Sequence, residues 1–331
     1  ELLRIVAMLM IIGHHIYRHG KFDFPTNIIT VNKLWTQFLL LGGNLGNDIF
    51  ILISGYFLVK SSGVKWHKLL NLWIRAFFWA VSIYGLFVFF AMESPSIKTL
   101  LRVMRPITRP INWFIAPYFV MYLIHPYLNI LLRSFTRGKY RKFLASVFIY
   151  WSVIPVLTKS DFQANALINF ICLYSLAGYV RLWADDFGSK KYIIFGVLFA
   201  LVNFFLVILV DIATMKNEYF VIYTEYFLGM LMPFTVLSSF CIFIGFKHIN
   251  ISSRAINLAA SVTLGVYLTH ENEFVRENFL WQDIFHVASF CDSPYLIPYT
   301  LAAIVIVYIV CTLLELLRSK IFSTLSRGKL S

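Results

Sequence analysis

An arginine and two adjacent histidines, Arg4, His14 and His15, stand in an otherwise apolar segment at the start of the sequence. An arginine near the centre of a membrane helix costs roughly 2.5–3.5 kcal/mol, so ionisable residues in such a segment indicate a functional site. The spacing of Arg4 and His15 places them within about 20° of one helix face and about 16 Å apart along the axis. His14 lies roughly 80° to one side. Arg4 and His15 are therefore predicted to act on the same side of the first helix.

A second polar pair, Asn44 and Asp48, shares one face of a glycine-rich apolar stretch. Small residues in such a stretch permit close approach by a neighbouring helix. If Asp48 accepts a hydrogen bond from one ring nitrogen of His15, the other nitrogen is free to act as a general base. A structural salt bridge between Asp48 and Arg4, and a packing role for His15, are the alternatives. Because His14 and His15 are adjacent, they do not chelate a metal from one helix face, and no metal site is expected.

Two further clusters combine charge with a predicted position at a membrane surface. Lys65, Lys68 and Arg75 follow the second apolar run, where they either bind phosphates of a soluble cofactor or mark a cytoplasmic loop. His270 and Glu271 end the ninth apolar run. They are predicted at the outer face, where they either meet an extracytoplasmic substrate or are simply solvated at the interface.

The elements that must position these residues are membrane helices. Of the 331 residues 59% are hydrophobic and 14% charged, which is far more apolar than an ordinary soluble domain. The apolar runs long enough to span a bilayer predict about ten transmembrane helices: 2–17, 34–59, 69–91, 113–132, 143–157, 166–183, 192–212, 220–246, 256–271 and 295–317. An even number places both termini on one side, and the excess of lysine and arginine in the loops on that side predicts that it is cytoplasmic.

The chain is therefore expected to be an all-α, polytopic transmembrane bundle, with one domain over residues 1–331 and the lipid bilayer as its surroundings. Its net charge of +13 resides in short loops between apolar runs, which argues against a nucleic-acid partner. The basic segment 93–112 is the exception on the outer side. It is interpreted as an interfacial amphipathic helix, with a basic wall for an anionic glycan or lipid phosphate as the alternative.

With these residues assembled, the chain resembles the membrane-bound acyltransferase-3 family. These bacterial enzymes acylate sugars of lipopolysaccharide, capsule, peptidoglycan and exopolysaccharide. The family's arginine and histidine, separated by ten residues in the first helix, correspond to Arg4 and His15. A second family motif matches Gly43-Asn44-Leu45-Gly46-Asn47-Asp48-Ile49-Phe50 and Ser54-Gly55-Tyr56. Weaker matches are Trp113-Phe114, Tyr122-Leu123 with Pro126, Leu176-Ala177-Gly178-Tyr179 and Gly265-Val266-Tyr267-Leu268-Thr269-His270.

The resemblance implies an O-acyltransferase of the bacterial plasma membrane. It would take an acyl group from cytoplasmic acyl-CoA, with acetyl-CoA as the first choice, and deliver it to a sugar hydroxyl of a cell-surface polysaccharide or its lipid-linked precursor. His15 would be the general base, Asp48 would orient it, and Arg4 would orient the donor or bind its phosphates. Lys65, Lys68 and Arg75 would also bind the donor. The expected substrate-binding residues are His14, Asn44, Ser54, Trp113, Tyr267, His270 and Glu271.

A secondary transporter or flippase is the alternative function. In that case Arg4, His15 and Asp48 would form a proton relay or a substrate site. The two-fold internal repeat that is common in transporters is not visible in this sequence. Binding of acetyl-CoA distinguishes the two functions, because a transporter of this kind should not bind it.

Overall fold

The computed structural model describes residues 1–109, 111–160, 164–183, 189–251 and 253–327, and the regular structure in these ranges is all helical. The α-helices, in chain order, are α1 Leu2–His19, α2 Val31–Leu58, α3 Trp66–Phe89, α4 Ile97–Val103, α5 Ile115–Ser134, α6 Arg137–Phe148, α7 Ile154–Thr158, α8 Ala166–Leu182, α9 Tyr192–Lys216, α10 Pro233–Lys247, α11 Arg254–Ser261, α12 Thr263–His270 and α13 Leu296–Arg327. Wider helical turns cover Ile149–Val153 and Val275–Ile284, and tighter 3₁₀ turns cover Glu218–Tyr223, Tyr226–Leu228 and Val287–Phe290.

Seven helical stretches in the described ranges are long and apolar enough to cross a membrane. They are Val31–Leu58, Trp66–Phe89, Ile115–Ser134, Arg137–Thr158, Tyr192–Lys216, Glu218–Lys247 and Leu296–Thr324. These stretches support a multi-pass membrane protein, while the count of ten and the cytoplasmic termini remain predictions. Helix α1 is not one of the seven stretches, because polar residues such as Arg4 and His15 lower its mean hydropathy. The predicted run 256–271 is divided between α11 and α12, which meet at Val262.

Close packing of α1 on α2 depends on glycines of α2. A Cβ atom added to Gly46 would lie 2.7 Å from the carbonyl oxygen of Ala7, and one added to Gly42 would lie 2.8 Å from that of Met10. Both contacts are to backbone, which has no rotamer with which to move away. The glycine face of α2 therefore sets the position of α1, and with it the position of His15.

We expect Gly46→Ala to destabilise the protein, because the added methyl group must push α1 away from α2. Overpacking of this kind costs about 1–3 kcal/mol, which lowers the thermal unfolding midpoint of the detergent-solubilised protein. Gly85→Ala in α3 is the matched control, since a Cβ there meets no atom within 4 Å. An equal midpoint for the two variants would show that the contact between α1 and α2 is looser than described.

The remaining surface of α1 packs against α12 and α13. Ile12 and Ile16 of α1, Val266 and Leu268 of α12, and Val307 of α13 are buried in one hydrophobic cluster. α2 in turn packs against α8 and α10. Thus α1 is enclosed on several sides, and its polar side chains face other helices.

Segment 93–112 was expected to form an interfacial amphipathic helix. Its helical part is α4, in which Ile97 and Leu101 are exposed. Arg102 forms an ion pair with Glu273 of the segment that follows α12. Pro110 lies outside the described residues. At least one of the four basic side chains in this segment is therefore already paired with a carboxylate.

Candidate active site

His15 lies within a buried polar cluster in the last turns of α1. Its Nδ1 is 2.9 Å from Nε2 of His270 in α12, and its Nε2 is 3.2 Å from Oε2 of Glu271. All three side chains are at least nine-tenths buried. Because α12 packs on α1 and ends at His270, its last residue and its C-cap, Glu271, each contact one nitrogen of the imidazole ring of His15.

The tautomers in this cluster follow from the carbonyl group of Val266. Nδ1 of His270 lies 2.6 Å from that oxygen, which only accepts hydrogen bonds, so this nitrogen carries a proton. In the neutral ring Nε2 of His270 is then an acceptor, and Nδ1–H of His15 donates to it. Nε2 of His15 is consequently the nitrogen that gains and loses a proton, and when protonated it can donate to Oε2 of Glu271.

Glu271 is held in place by several neighbours. Nη1 of Arg276 donates to its Oε1 at 2.5 Å, and Nε2 of His19 lies 3.6 Å from its Oε2. The side chain of Asn112 donates to the backbone oxygen of Glu271 at 2.9 Å. A buried carboxylate requires such compensation. Glu271 is placed to stabilise the positive charge that His15 gains on accepting a proton. In a Ser-His-Asp triad the aspartate does this from the ring nitrogen opposite the base, whereas Glu271 lies at Nε2 itself.

The expectation that Asp48 orients His15 is wrong. Asp48 is completely buried, and its Oδ2 accepts a hydrogen bond from the hydroxyl group of Ser239 in α10 at 3.2 Å. Gly46 faces α1, and Asp48, two residues further along, lies about 200° around the helix and faces α10. The carboxylate beside His15 belongs to Glu271 instead. The alternative salt bridge of Asp48 with Arg4 is not present either, since the ion pair of Arg4 is with Glu1, at 3.1 Å.

Arg4 lines a cavity of about 190 Å³ that leads along α1 toward the cluster around His15. The ion pair of Arg4 with Glu1 is exposed, and such pairs contribute little to stability. We call this cavity the Arg4 cavity, and its lining residues are Arg4, Met8, Ile11, Asn47, Phe50, Ser54, Phe114, Tyr118, Ala260, Ser261, Thr263, Leu264 and Tyr267. As predicted from their spacing, Arg4 and His15 both face the side of α1 on which α12 lies.

Tyr267 connects the Arg4 cavity with the buried cluster. Its ring lines the cavity, and the ring centroids of His15 and His270 lie 6.5 and 6.2 Å away. Ser54, which also lines the cavity, lies with its hydroxyl 3.4 Å from that of Tyr118. The structure thus brings Arg4, Ser54 and Tyr267 to one cavity and places His15, His270 and Glu271 next to it.

Three of the expected substrate-binding residues point elsewhere. His14 places its Nδ1 2.9 Å from the backbone oxygen of Leu40 in α2, and Asn44 donates to that of Leu228 at 2.6 Å. Trp113 is partly exposed and packs against other aromatic rings. None of the three lines the Arg4 cavity. His14 and Asn44 hold helices together, and their expected contact with substrate is not supported by these positions.

The expected donor-binding cations are divided between two environments. Lys65 and Lys68 are exposed at the start of α3. Arg75 lies two turns further, with its Nε 3.7 Å from Oε1 of the fully buried Glu315 in α13. Glu315 also accepts two hydrogen bonds from Arg318. Arg75 therefore belongs to a buried ion cluster and does not line the Arg4 cavity.

Sequence reasoning missed His19, Asn112 and Arg276 as neighbours of the site. His19 was detectable, because it follows His15 by four residues and so shares its helix face. Asn112 and Arg276 meet Glu271 only through the tertiary fold. In the part of the chain that the structure describes, no group of three or more His, Cys, Asp or Glu side chains is placed to hold a metal ion.

A buried histidine paired with a carboxylate, next to a cavity in a helical bundle, is an arrangement that a membrane enzyme can use to transfer a group to a nucleophile. The family model Acyl_transf_3, described as an acyltransferase domain, matches residues 1–316. The chain belongs to the acyltransferase-3 family, and it is a multi-pass membrane acyltransferase. Comparison with curated proteins and with solved structures gives no match.

Proposed function

We propose that this acyltransferase transfers an acyl group from acyl-CoA, acetyl-CoA in the first instance, to a sugar hydroxyl at the bacterial plasma membrane. The acceptor is a cell-surface polysaccharide or its lipid-linked precursor. One observation carries the proposal: Nε2 of His15 lies beside Glu271, next to a cavity that Arg4 lines at its other end. A cation in the cavity and a base beside it suit a donor that carries phosphates and an acceptor that must lose a proton.

In the proposed reaction, Nε2 of His15 accepts the proton of the sugar hydroxyl as the oxygen attacks the thioester carbonyl carbon. The carbon–sulfur bond breaks, and the departing thiolate takes the proton from the imidazolium ring, so that an ester and free CoA result. Glu271 stabilises the imidazolium between these steps, and His270 keeps His15 in the required tautomer. Each group returns to its starting protonation state after one turnover.

The Arg4 cavity is proposed to hold the acyl-bearing arm of the donor. Its volume of about 190 Å³ suits a narrow chain, and its lining is largely apolar with polar side chains such as Asn47 and Ser54. Arg4 then binds a phosphate or orients the arm at the entrance. Lys65 and Lys68, which are exposed, remain candidates for the outer phosphates, whereas Arg75 is already paired with Glu315.

We expect Arg4→Ala to raise the KM for acetyl-CoA by about 10–100-fold, which is the effect of losing a hydrogen bond to a charged group. The value of kcat should change less, because Arg4 lies about 16 Å from the base along α1. Steady-state kinetics with varied acetyl-CoA measures both constants. Lys320→Ala, which removes an exposed charge from α13, is the control and should leave both unchanged. A fall in kcat at constant KM would contradict the donor-binding role of Arg4.

Binding of labelled acetyl-CoA to the detergent-solubilised protein tests the proposed function. Saturable binding that desulfo-CoA or CoA displaces is the expected result. A secondary transporter or flippase for another solute should bind no acetyl-CoA. Saturable binding without any transfer of label to glycan in native membranes would leave the donor correct and contradict the proposed acceptor.

A further inference from the structure

A second cavity, of about 540 Å³, lies where the C-terminal ends of α1 and α9 meet the N-terminal part of α2. This volume is within the roughly 300–1,000 Å³ of typical small-molecule sites. We call it the Gln37–Asp211 cavity. The polar side chains that line it include Arg18, Lys21, Lys33, Gln37, Asp211 and Glu225. None of them takes part in the reaction proposed above.

Two buried acceptor atoms in this cavity have no donor. Nε2 of Gln37 donates to Oδ1 of Asp211 at 3.1 Å, and both side chains belong to residues that are 2% exposed. A carboxylate only accepts hydrogen bonds, so the amide nitrogen must face it and Oε1 of Gln37 must point away. Oε1 of Gln37 and Oδ2 of Asp211 have no hydrogen-bond partner within the described part of the chain. Gln37 and Asp211 both line the cavity, so a ligand there that donates hydrogen bonds would compensate these two acceptor atoms.

The charges around the cavity favour a neutral ligand. Arg18 is paired with Glu225 at 2.7 Å, and Lys33 lies 3.7 Å from Asp211. Lys21 adds a third cation. Because two of the three cations are paired with the two carboxylates, the lining offers neither a phosphate nor an ammonium group a strong unpaired counter-charge cluster, whereas a polyhydroxyl compound needs none. Hydroxyl groups donate to acceptors such as those of Gln37 and Asp211 without carrying a charge.

Aromatic side chains complete the lining. Tyr17, Phe22 and Phe24 border the cavity, and the rings of Phe22 and Phe24 stack with centroids 5.7 Å apart. A small number of convergent polar groups on an apolar and aromatic wall is typical of ligand sites. A pyranose ring matches such a wall, because it presents hydroxyl groups at its edge and C–H groups on its faces.

The cavity lies at the same end of α1 as the proposed base, on another face of the helix. Tyr17 is two residues from His15, about 200° around α1. Lys21 donates to Asn278 at 2.7 Å, and Asn278 belongs to the segment Val275–Ile284, which also carries Arg276. The two regions are therefore neighbours, but a single sugar ring does not fill both.

We propose that the Gln37–Asp211 cavity binds a neutral sugar unit of the acceptor glycan, next to the unit whose hydroxyl reacts at His15. The assignment rests on the proposed function for the identity of the acceptor, although binding of the sugar can be measured without any transfer. The cavity selects the glycan, and the cluster around His15 acts on it.

Calorimetric titration of the full-length protein, in a detergent without a sugar headgroup, tests this assignment. The probes are the methyl pyranosides of glucose, galactose, mannose and N-acetylglucosamine, with inorganic phosphate as a separate arm. We expect saturable binding of at least one glycoside. Asp211→Asn should weaken it roughly tenfold or more, since a hydrogen bond to a charged group is lost. Gln37→Met, which removes the unpaired oxygen at similar volume, should also weaken it and serves if Asp211→Asn fails to fold.

Glu277→Gln is the matched control, because Glu277 is an exposed carboxylate that lines a different cavity. It should bind the glycoside as the wild-type protein does. No binding of any of the four glycosides, binding that neither Asp211→Asn nor Gln37→Met weakens, or binding of phosphate alone would each overturn the proposal. His15→Ala should still bind the glycoside, so a failure of the proposed reaction is distinguishable from a failure of this site.

Discussion

Replacing His15 with alanine is expected to reduce acyl transfer by about 10²–10⁴-fold, the usual contribution of a general base. Nε2 of His15 is the basic nitrogen in the cluster, because the contact with Val266 fixes the tautomer of His270 and its Nε2 then accepts a hydrogen bond from Nδ1–H of His15. Without the imidazole ring, the sugar hydroxyl has no proton acceptor beside the thioester. Transfer of label from acetyl-CoA to glycan, measured at saturating donor, gives the effect on kcat.

His14→Ala is the matched control for this prediction. His14 is the adjacent residue and has a similar ring, but it contacts the backbone oxygen of Leu40 in α2. We expect a loss of stability of about 1 kcal/mol from this contact and a change in kcat of less than tenfold. Equal loss of kcat in the two variants, or unchanged kcat in His15→Ala protein that folds normally, would contradict a base at His15.

Glu271→Gln is expected to lower kcat by about 10²–10³-fold, the usual loss when one group that stabilises charge in the transition state is removed. The substitution keeps the volume of the side chain and removes the charge that faces Nε2 of His15. The developing imidazolium then lacks its counter-charge, and Arg276 loses an anionic partner in a buried position. The pH dependence of kcat and the thermal midpoint, measured together, separate loss of catalysis from loss of folding.

Asp48→Asn provides the comparison, because the two carboxylates differ in what they contact. Asp48 meets Ser239 in α10, and an asparagine can accept the same hydrogen bond. We expect kcat to fall less than tenfold in this variant. A larger loss of kcat for Asp48→Asn than for Glu271→Gln would mean that the carboxylate acting on His15 is the one predicted from sequence.

The spacing along single helices predicted part of the site. The separation of Arg4 and His15 placed them on one face, and the polar end of the run 256–271 singled out His270 and Glu271. Which carboxylate meets His15 was not predictable in this way, because His15 and His270 are 255 residues apart and the pairing depends on how α12 packs on α1. Asp48 was favoured because it is in the helix that follows α1. The orientation of α2 about its axis, however, directs Asp48 toward Ser239 in α10.

The all-helical, multi-pass architecture was predictable from the apolar runs. The positions at which a helix breaks within a run were not. The short helices α11 and α12 divide one apolar run at Val262. That break matters for function, because α12 ends at His270 and turns Glu271 toward His15. The partners of the basic residues were also not predictable from the sequence. The positive charge of Lys65, Lys68 and Arg75 suggested phosphate binding, but Arg75 is paired with the buried Glu315, which lies near the other end of the sequence.

Transfer across a sealed bilayer tests the central proposal most directly. Proteoliposomes with an acceptor glycan trapped inside receive labelled acetyl-CoA outside, where protein molecules that expose the Arg4 side to the bath can bind it. If the acyl group passes along the Arg4 cavity to His15, label appears on the trapped glycan, and His15→Ala protein gives none. Label on glycan only when donor and acceptor share one compartment would contradict a path from Arg4 to His15.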